Sequence, residues 1–165
     1  MALYAFTQYN FSILGVGGAF AIGNGAAVAE EGISIENVAD QNIMTKGLDD
    51  STMHSYVANN GATLTLRLLK TSITNQLLQN MWNAQKTTLV GIGANVITGV
   101  GILSGDLIVL NQVAFKKQTP LTFAKEGGMN EWIFDCGQAI YYLGGNAYWR
   151  LSLMIRHMSY PRLTH

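Results

Sequence analysis

Charged side chains are scarce in this chain of 165 residues: ten Lys and Arg and ten Asp and Glu make up 12% of it, about half the roughly 25% of an ordinary soluble domain. A folded monomer of this mass exposes about 8,000 Å², which leaves about one charge per 400 Å². Such a sparse surface indicates that something else covers part of it. Because the net charge is zero, equilibrium binding to nucleic acid or to an anionic membrane is not expected.

Cysteine and histidine are also rare. Cys136 is the single cysteine, so an intramolecular disulfide is excluded, and folding in a reducing cytoplasm fits this composition. We interpret Cys136 as a small buried apolar residue. The three histidines have no second cysteine near them, so neither the number nor the spacing of ligands suits zinc, and we expect no metal and no cofactor.

Motifs of catalysis are incomplete. The segments GVGGAF and GIGANV begin like dinucleotide-binding loops, but Phe20 and Val96 stand where the last glycine is required. The sequence has no phosphate-binding GK[ST] loop and no GxSxG nucleophile motif. We therefore predict no catalytic residues, and a protein that is not an enzyme.

Two uncharged segments raise the question of membrane insertion. Residues 1–29 have no Lys or Arg ahead of their apolar part, which a secretory signal requires. Residues 87–105 contain five glycines, which lowers their helix propensity, and we predict a glycine-interrupted β-hairpin there instead of a membrane helix. A small membrane β-barrel channel is the alternative from another class, but it would need an export signal.

Alternation of apolar and polar residues predicts a mainly β fold. It is clearest where Leu64, Leu66 and Leu68 alternate with polar residues. The period then becomes helical, because Ile73, Leu77 and Met81 recur at helical spacing, and we predict one helix over about residues 72–85 with Thr71 or Ser72 as its N-cap. Further strands are predicted in residues 3–14, 32–38, 106–117 and 131–144, with Gly137 as a β-bulge.

The pattern of the strands favours association between copies. Several strands carry large side chains on both faces, which suggests a sheet that continues into another copy or packs on it. Residues 30–60 hold six acids and one base, whereas residues 136–165 hold three bases and no acid. This polarity suggests identical subunits arranged head to tail; the alternative is a monomer with two solvated faces.

Residues 40–60 form a polar segment without a clear period. Segments of this length inside a compact domain are usually functional or disordered. Asp49 and Asp50 lie in the string GLDDSTMHS, which lacks the ligand pattern of a calcium loop. We predict an extended arm that reaches a neighbouring subunit.

Four segments carry a resemblance in their order along the chain: residues 30–36 (EEGISIE), 63–83 (TLTLRLLKTSITNQLLQNMWN), 113–120 (VAFKKQTP) and 126–135 (EGGMNEWIFD). Together they resemble the tail tube proteins of contractile-tailed bacteriophages, over residues 1–144. The resemblance implies a tail tube domain in those residues, built as a β-sandwich or barrel-like fold with one flanking helix. Six copies would close a ring whose inner sheets join into a continuous β-barrel.

The function that the resemblance implies is structural. Rings would stack into the hollow inner tube of a phage tail, assembled in the host cytoplasm, with sheath, baseplate and tail terminator proteins as partners. Tape measure protein and double-stranded DNA would pass through the lumen transiently. A tube subunit of a tailocin or of a secretion-type injection machine is the equivalent alternative.

The resemblance also suggests site residues. By position, the long loop of residues 40–60 would make the intersubunit contacts, and a lumen that conducts DNA should avoid a dense positive lining. The candidates for contact in this loop are Asp49, Asp50, Met53 and His54, and the candidates for the lumen are Glu30, Glu31 and Glu36.

Residues 145–165 continue beyond the resemblance as a C-terminal extension. Alternating apolar residues suggest an additional strand, although Leu151, Met154, Ile155 and Met158 also suit one face of a short helix. As a strand, the extension would add to a neighbour's sheet edge and lock rings together. The predicted contact residues there are Trp149, Arg150, Leu151 and Leu153.

Overall fold

The computed structural model describes residues 4–23 and 28–144. Within these ranges a short 3-10 helix (Phe6–Gln8) precedes nine strands and one α-helix. The strands are β1 (Tyr9–Gly15), β2 (Gly18–Ala21), β3 (Val28–Asn37), β4 (Asn42–Lys46), β5 (Thr52–Tyr56), β6 (Ala62–Leu69), β7 (Asn95–Gly101), β8 (Leu107–Phe115) and β9 (Met129–Tyr142). Helix α1 (Ile73–Thr88) follows β6. The prediction of a mainly β fold with one helix is confirmed for this part of the chain.

Seven of the strands form one antiparallel sheet in the order β2-β1-β7-β8-β9-β6-β3. The sheet curls into a half-barrel, so the expected sandwich or barrel takes the form of a single curved sheet. Strands β4 and β5 pair only with each other, in a separate two-stranded sheet. Among the described residues, β2 and β3 are the edges of the large sheet.

The core lies on one face of the large sheet, beneath α1. In β6 the predicted alternation buries Leu64, Leu66 and Leu68, and their neighbours Trp132 and Phe134 on β9 extend the same apolar face. The inner side of α1 joins this core through Leu78 and Met81, both fully buried. The helix thus packs on the sheet, but its buried stripe is Thr74, Leu78, Met81 and Gln85. Of the predicted stripe only Met81 is buried, because the helix is turned so that Ile73 and Leu77 are exposed.

Helix α1 begins and ends with recognisable caps. Ser72 Oγ accepts a hydrogen bond from the Thr74 amide at 3.2 Å, so Ser72 is the N-cap. At the other end Leu89 has φ 53° and donates its amide to the Gln85 carbonyl, which closes the last turn in the left-handed conformation that often ends helices. The helix therefore runs three residues beyond the predicted residue 85.

The β-hairpin predicted in residues 87–105 is displaced along the chain, because the structure forms it from β7 and β8 over residues 95–115. The first residues of this segment still belong to α1, and the segment holds one strand, β7, which pairs with β1 on one side and β8 on the other. Gly91 and Gly93 have φ +80° and +75°, so they form the turn between helix and strand instead of interrupting a hairpin. Within the described residues, no helix is both long and apolar enough to cross a membrane.

The bulge predicted at Gly137 lies instead on the neighbouring strand. The register of β7 and β8 shifts by one residue between the pairs Asn95↔Val113 and Ile97↔Leu110, and Gln112 has φ 54°. A Cβ atom at Gly137 would stand 2.5 Å from Gln112 Oε1 and 2.9 Å from its Cβ. Glycine is needed at 137 to make room for the bulge at Gln112, which explains why it looked like a bulge in the sequence.

A buried pair of amides joins α1 to the sheet. Gln85 and Asn95 are both fully buried, and Gln85 Nε2 donates to Asn95 Oδ1 at 2.7 Å and to the Val16 carbonyl at 3.1 Å. In return, Asn95 Nδ2 donates to Gln85 Oε1 at 3.2 Å and to the Val113 carbonyl at 3.0 Å. The pair therefore ties the C-terminal end of the helix to β7, to β8 and to the turn between β1 and β2.

We expect Asn95→Ala to lower the free energy of unfolding by about 2 kcal/mol, because the buried amide of Gln85 and the Val113 carbonyl lose their partner. Urea unfolding followed by circular dichroism measures the change. Asn111→Ala is the matched control, since its hydrogen bond to Gln138 is exposed and 3.5 Å long, and we expect a change within about 0.5 kcal/mol. Equal losses in the two variants would contradict the assigned role of the buried pair.

Candidate functional site

A hairpin made of β4, β5 and the connecting residues 47–51, here called the arm, has no cover from the rest of the described chain. Every residue of both strands is exposed, and the arm forms its own sheet. An isolated two-stranded hairpin is marginally stable in water. The predicted arm in residues 40–60 thus takes the form of a hairpin, and its geometry suits a segment that is completed by contact with another molecule.

The tip of the arm is a three-residue loop with a left-handed residue at its end. The Asp50 amide donates to the Gly47 carbonyl at 3.2 Å, and Asp50 has φ 65°, a conformation that Asp tolerates better than most residues. Asp49 Oδ1 accepts hydrogen bonds from the Ser51 amide at 3.1 Å and from Ser51 Oγ at 2.6 Å. The two aspartates therefore shape the loop that presents Leu48 to solvent.

The hydrogen bonds from Ser51 lower the pKa of Asp49 from its usual 3.8. Because the folded pKa lies below the unfolded one, the turn is stabilised above pH 3.8 and loses this support as the pH falls through the folded value. We expect a carboxyl NMR titration of Asp49 to have its midpoint below 3.8, and Ser51→Ala to return it toward 3.8. An unchanged midpoint in Ser51→Ala would contradict this cause.

The arm has two distinct faces. Met44 and His54 are directly paired and share one face, where Asn42 Nδ2 and His54 Nδ1 are 3.1 Å apart. Thr45 pairs with Met53 on the opposite face. The predicted contact residues Met53 and His54 therefore point in opposite directions, so a single flat partner cannot contact both.

Large apolar side chains project from the arm into solvent. Met53 is 60% exposed and Tyr56 is 73% exposed, and burying the exposed part of each such side chain would contribute about 1–2 kcal/mol. Of the five exposed apolar residues of the arm, sequence reasoning named Met53 and missed the other four. The available signal was an apolar residue in an otherwise polar segment. The exposed apolar residues of the arm are Ile43, Met44, Leu48, Met53 and Tyr56.

The base of the arm is held firmly. Gln41 Nε2 donates to the Asn59 carbonyl and to Asn60 Oδ1, both at 3.0 Å, and the Val57 amide donates to the Gln41 carbonyl at 2.8 Å. The Ala139 amide donates to the Asn60 carbonyl at 2.9 Å, which fixes the base to β9. The arm therefore leaves the large sheet at a fixed position.

The face of the sheet opposite the core is polar where β3, β6 and β9 lie side by side. Arg67 and Glu131 are directly paired and form an ion pair at 3.3 Å, and Lys116 and Asp135 form another at 3.7 Å. We call this the polar face; its side chains are Ser34, Glu36, Thr63, Thr65, Arg67, Lys116, Glu131, Ile133 and Asp135. Both cations on it have a carboxylate within ion-pair distance.

Of the three predicted lumen residues, the structure describes the side chain of one. Glu36 lies on the polar face and is exposed. Glu30 and Glu31 belong to β3, next to the register shift between Val28 and Ile33, and their side chains are outside what the structure describes. The predicted contact residues of the extension, Trp149, Arg150, Leu151 and Leu153, also lie outside the described residues.

Reactive groups are few in the described part of the chain. No group of three or more His, Cys, Asp or Glu there is arranged to hold a metal ion. Burial raises the pKa of the Cys136 thiol to about 11, so this thiol stays protonated at neutral pH and is a poor nucleophile. The arm and the two faces of the large sheet are surfaces that suit contact with other molecules.

Comparison with known proteins gives a family match. Residues 1–144 match the family described as Bacteriophage PhiTE tail tube protein. No curated protein sequence matches the chain.

Solved structures give matches of fold. A chain of the PVC sheath-tube complex, an extracellular contractile injection system in the extended state, matches with a TM-score of 0.51 and 12% identity, over 85% of this chain and 93% of that one. At this identity the likeness shows a shared fold. A chain of the PVC sheath/tube terminator has a TM-score of 0.48 and 13% identity, over 86% and 99% of the two chains. The tube-terminating cap of the anti-feeding prophage has a TM-score of 0.48 and 9% identity, over 87% and 95%.

Proposed function

Because the chain belongs to the phage tail tube family described as Bacteriophage PhiTE tail tube protein, we propose that six copies close into a ring and that the rings stack into the inner tube of a contractile phage tail. The family consists of structural proteins of the tail. The tail tube domain is residues 1–144, and residues 145–165 are an extension of it. The protein is a component of the virion tail, assembled in the host cytoplasm.

The observation that carries this proposal is the arm. It exposes five large apolar side chains on two faces, and a solitary monomer would gain nothing from that arrangement. Contact with an adjacent copy would bury them and would add the stability that an isolated hairpin lacks. We assign Asp49, Asp50, Met53 and His54 to this contact, with Met53 and His54 facing different surfaces.

The two edges of the large sheet support closure into a ring. Among the described residues, β2 and β3 present their outer backbone groups to no other strand, and such edges favour pairing with another chain. Closed cyclic assembly of identical copies removes these edges altogether. The half-barrel of each copy then contributes one sector of a continuous inner barrel.

The polar face suits the lining of a lumen. It combines threonines with two cations that have carboxylates within ion-pair distance, and its three acids outnumber its two bases. Free Lys and Arg side chains would hold DNA phosphates and slow their passage, and this face offers few. We assign Glu36 to the lumen, together with one of the adjacent pair Glu30 and Glu31, because successive side chains of a strand point to opposite faces.

The partners follow from this role. Tape measure protein and double-stranded DNA pass through the lumen transiently, sheath protein surrounds the tube, and baseplate and tail terminator proteins bind its ends. The same assembly would serve a tailocin or a secretion-type machine, and the family match favours the phage tail.

Negative-stain electron microscopy of the purified chain tests the proposal directly. We expect hollow filaments of uniform width, with six-fold rings as their repeating unit in end views. Particles that stay monomeric at every concentration and salt condition would refute the proposal, and rings of another symmetry would refute its six-fold part.

A further inference from the structure

An apolar patch lies on β7, β8 and β9, on the same side of the large sheet as the polar face and beyond the bulge at Gln112. Val100, Leu107 and Tyr142 are aligned across the three strands, and Val109 and Ile140 lie next to them in the neighbouring row. Directly paired side chains on one face are about 5 Å apart, so the five residues, here called the apolar patch, are contiguous. Val100 is 40% exposed and Tyr142 is 61% exposed.

The chain leaves the sheet at the border of this patch, at a point held by Asp106. Asp106 Oδ1 accepts a hydrogen bond from the Gly144 amide at 2.9 Å. Its other oxygen accepts from Ser104 Oγ at 2.9 Å and from the Tyr9 hydroxyl at 3.3 Å. A Cβ atom at Gly144 would stand 2.2 Å from the Ser104 carbonyl oxygen, so the fixed exit also depends on glycine.

We propose that residues 145–165 of the same chain cover the apolar patch. The extension starts three residues after Tyr142, and in the sequence Trp149, Leu151 and Leu153 alternate with polar or charged residues. A segment of this pattern has one apolar side for the patch and one polar side for water. The proposal does not depend on ring formation.

The reach of the extension fits this placement. Five residue-to-residue steps separate Gly144 from Trp149, and they span at most about 17 Å. The patch extends over three strands, which are about 5 Å apart, so Trp149 reaches any part of it. A link this short gives the extension an effective concentration in the millimolar range at its own patch, so a segment from a second chain competes poorly.

A contact-quenching experiment tests the proposal. Bimane attached to Leu107→Cys reports tryptophan contact through loss of its emission, and Cys136 stays unlabelled because its buried thiol has a pKa of about 11. We expect the emission of the full-length chain to be severalfold lower than that of the same chain with Trp149→Phe, and to be independent of protein concentration. Equal emission from the two chains would overturn the proposal.

Two further labelling sites make the result specific. Val100→Cys is a second probe on the patch, and it replaces Leu107→Cys if that variant does not fold. Thr63→Cys on the polar face is the control, and we expect no effect of Trp149→Phe there. If quenching of the labelled Trp149→Phe chain appears when unlabelled native chain is added, the occupant belongs to a second copy and the proposal is overturned.

Discussion

Replacing residues 42–56 by Asn-Gly is expected to abolish tube assembly while leaving the rest of the chain folded. The Val57 amide already donates to the Gln41 carbonyl at 2.8 Å, so a two-residue turn can join these residues without moving the base of the arm. The arm contributes none of the buried core residues. We expect circular dichroism and the unfolding midpoint of the monomer to be retained, and electron microscopy to show no filaments.

Point variants separate the two faces of the arm. Met44→Ser and Met53→Ser each remove one exposed apolar side chain, on opposite faces, and each is expected to weaken assembly by about 1–2 kcal/mol. That loss corresponds to about a five- to thirtyfold rise in the concentration needed for tubes. Thr45→Ser and Thr52→Ser are the matched controls in the same strands and should assemble normally. If the chain with the replaced arm assembled normally, the arm would not be part of the intersubunit contact.

Local periodicity explains which parts of the fold could be predicted. Leu64, Leu66 and Leu68 alternate because one face of β6 is buried, and the helix follows from a change of period next to a serine that serves as N-cap. The arm has no buried face to impose alternation on β4 and β5, so its strands could not be recognised, although a protruding segment was predicted.

Other features depend on contacts between distant residues. The left-handed conformation of Gln112 has no sequence signature, and its consequence is visible at Gly137, where the glycine was misinterpreted. The pairing of Asn95 with Gln85 requires the chain to turn back between helix and strand, and Asn95 lay in a segment interpreted as a hairpin. Likewise the polar face and the apolar patch emerge only from the register of strands that are far apart in sequence.

Phe115→Ala is expected to cost about 3–5 kcal/mol of folding free energy, a large part of the roughly 5–15 kcal/mol of a typical domain. Phe115 is buried, and its ring lies 5.1 Å from Trp82 on α1 and 4.8 Å from Phe134 on β9, measured between ring centroids. Trp132 makes a third, edge-on contact at 6.0 Å. Removal of the ring leaves a cavity at the junction of helix and sheet and removes all three aromatic contacts at once.

The measurement is urea unfolding of the arm-replaced chain, in which assembly does not add to the apparent stability. Phe123→Ala is the matched control, because Phe123 is 84% exposed and its ring contacts the Lys70 ammonium at 4.4 Å; we expect a loss of at most about 1 kcal/mol there. Phe115→Leu should fall between the two, since it refills part of the cavity. If Phe115→Ala unfolded at the same urea concentration as its parent, the aromatic cluster would not be the junction that joins α1 to the sheet.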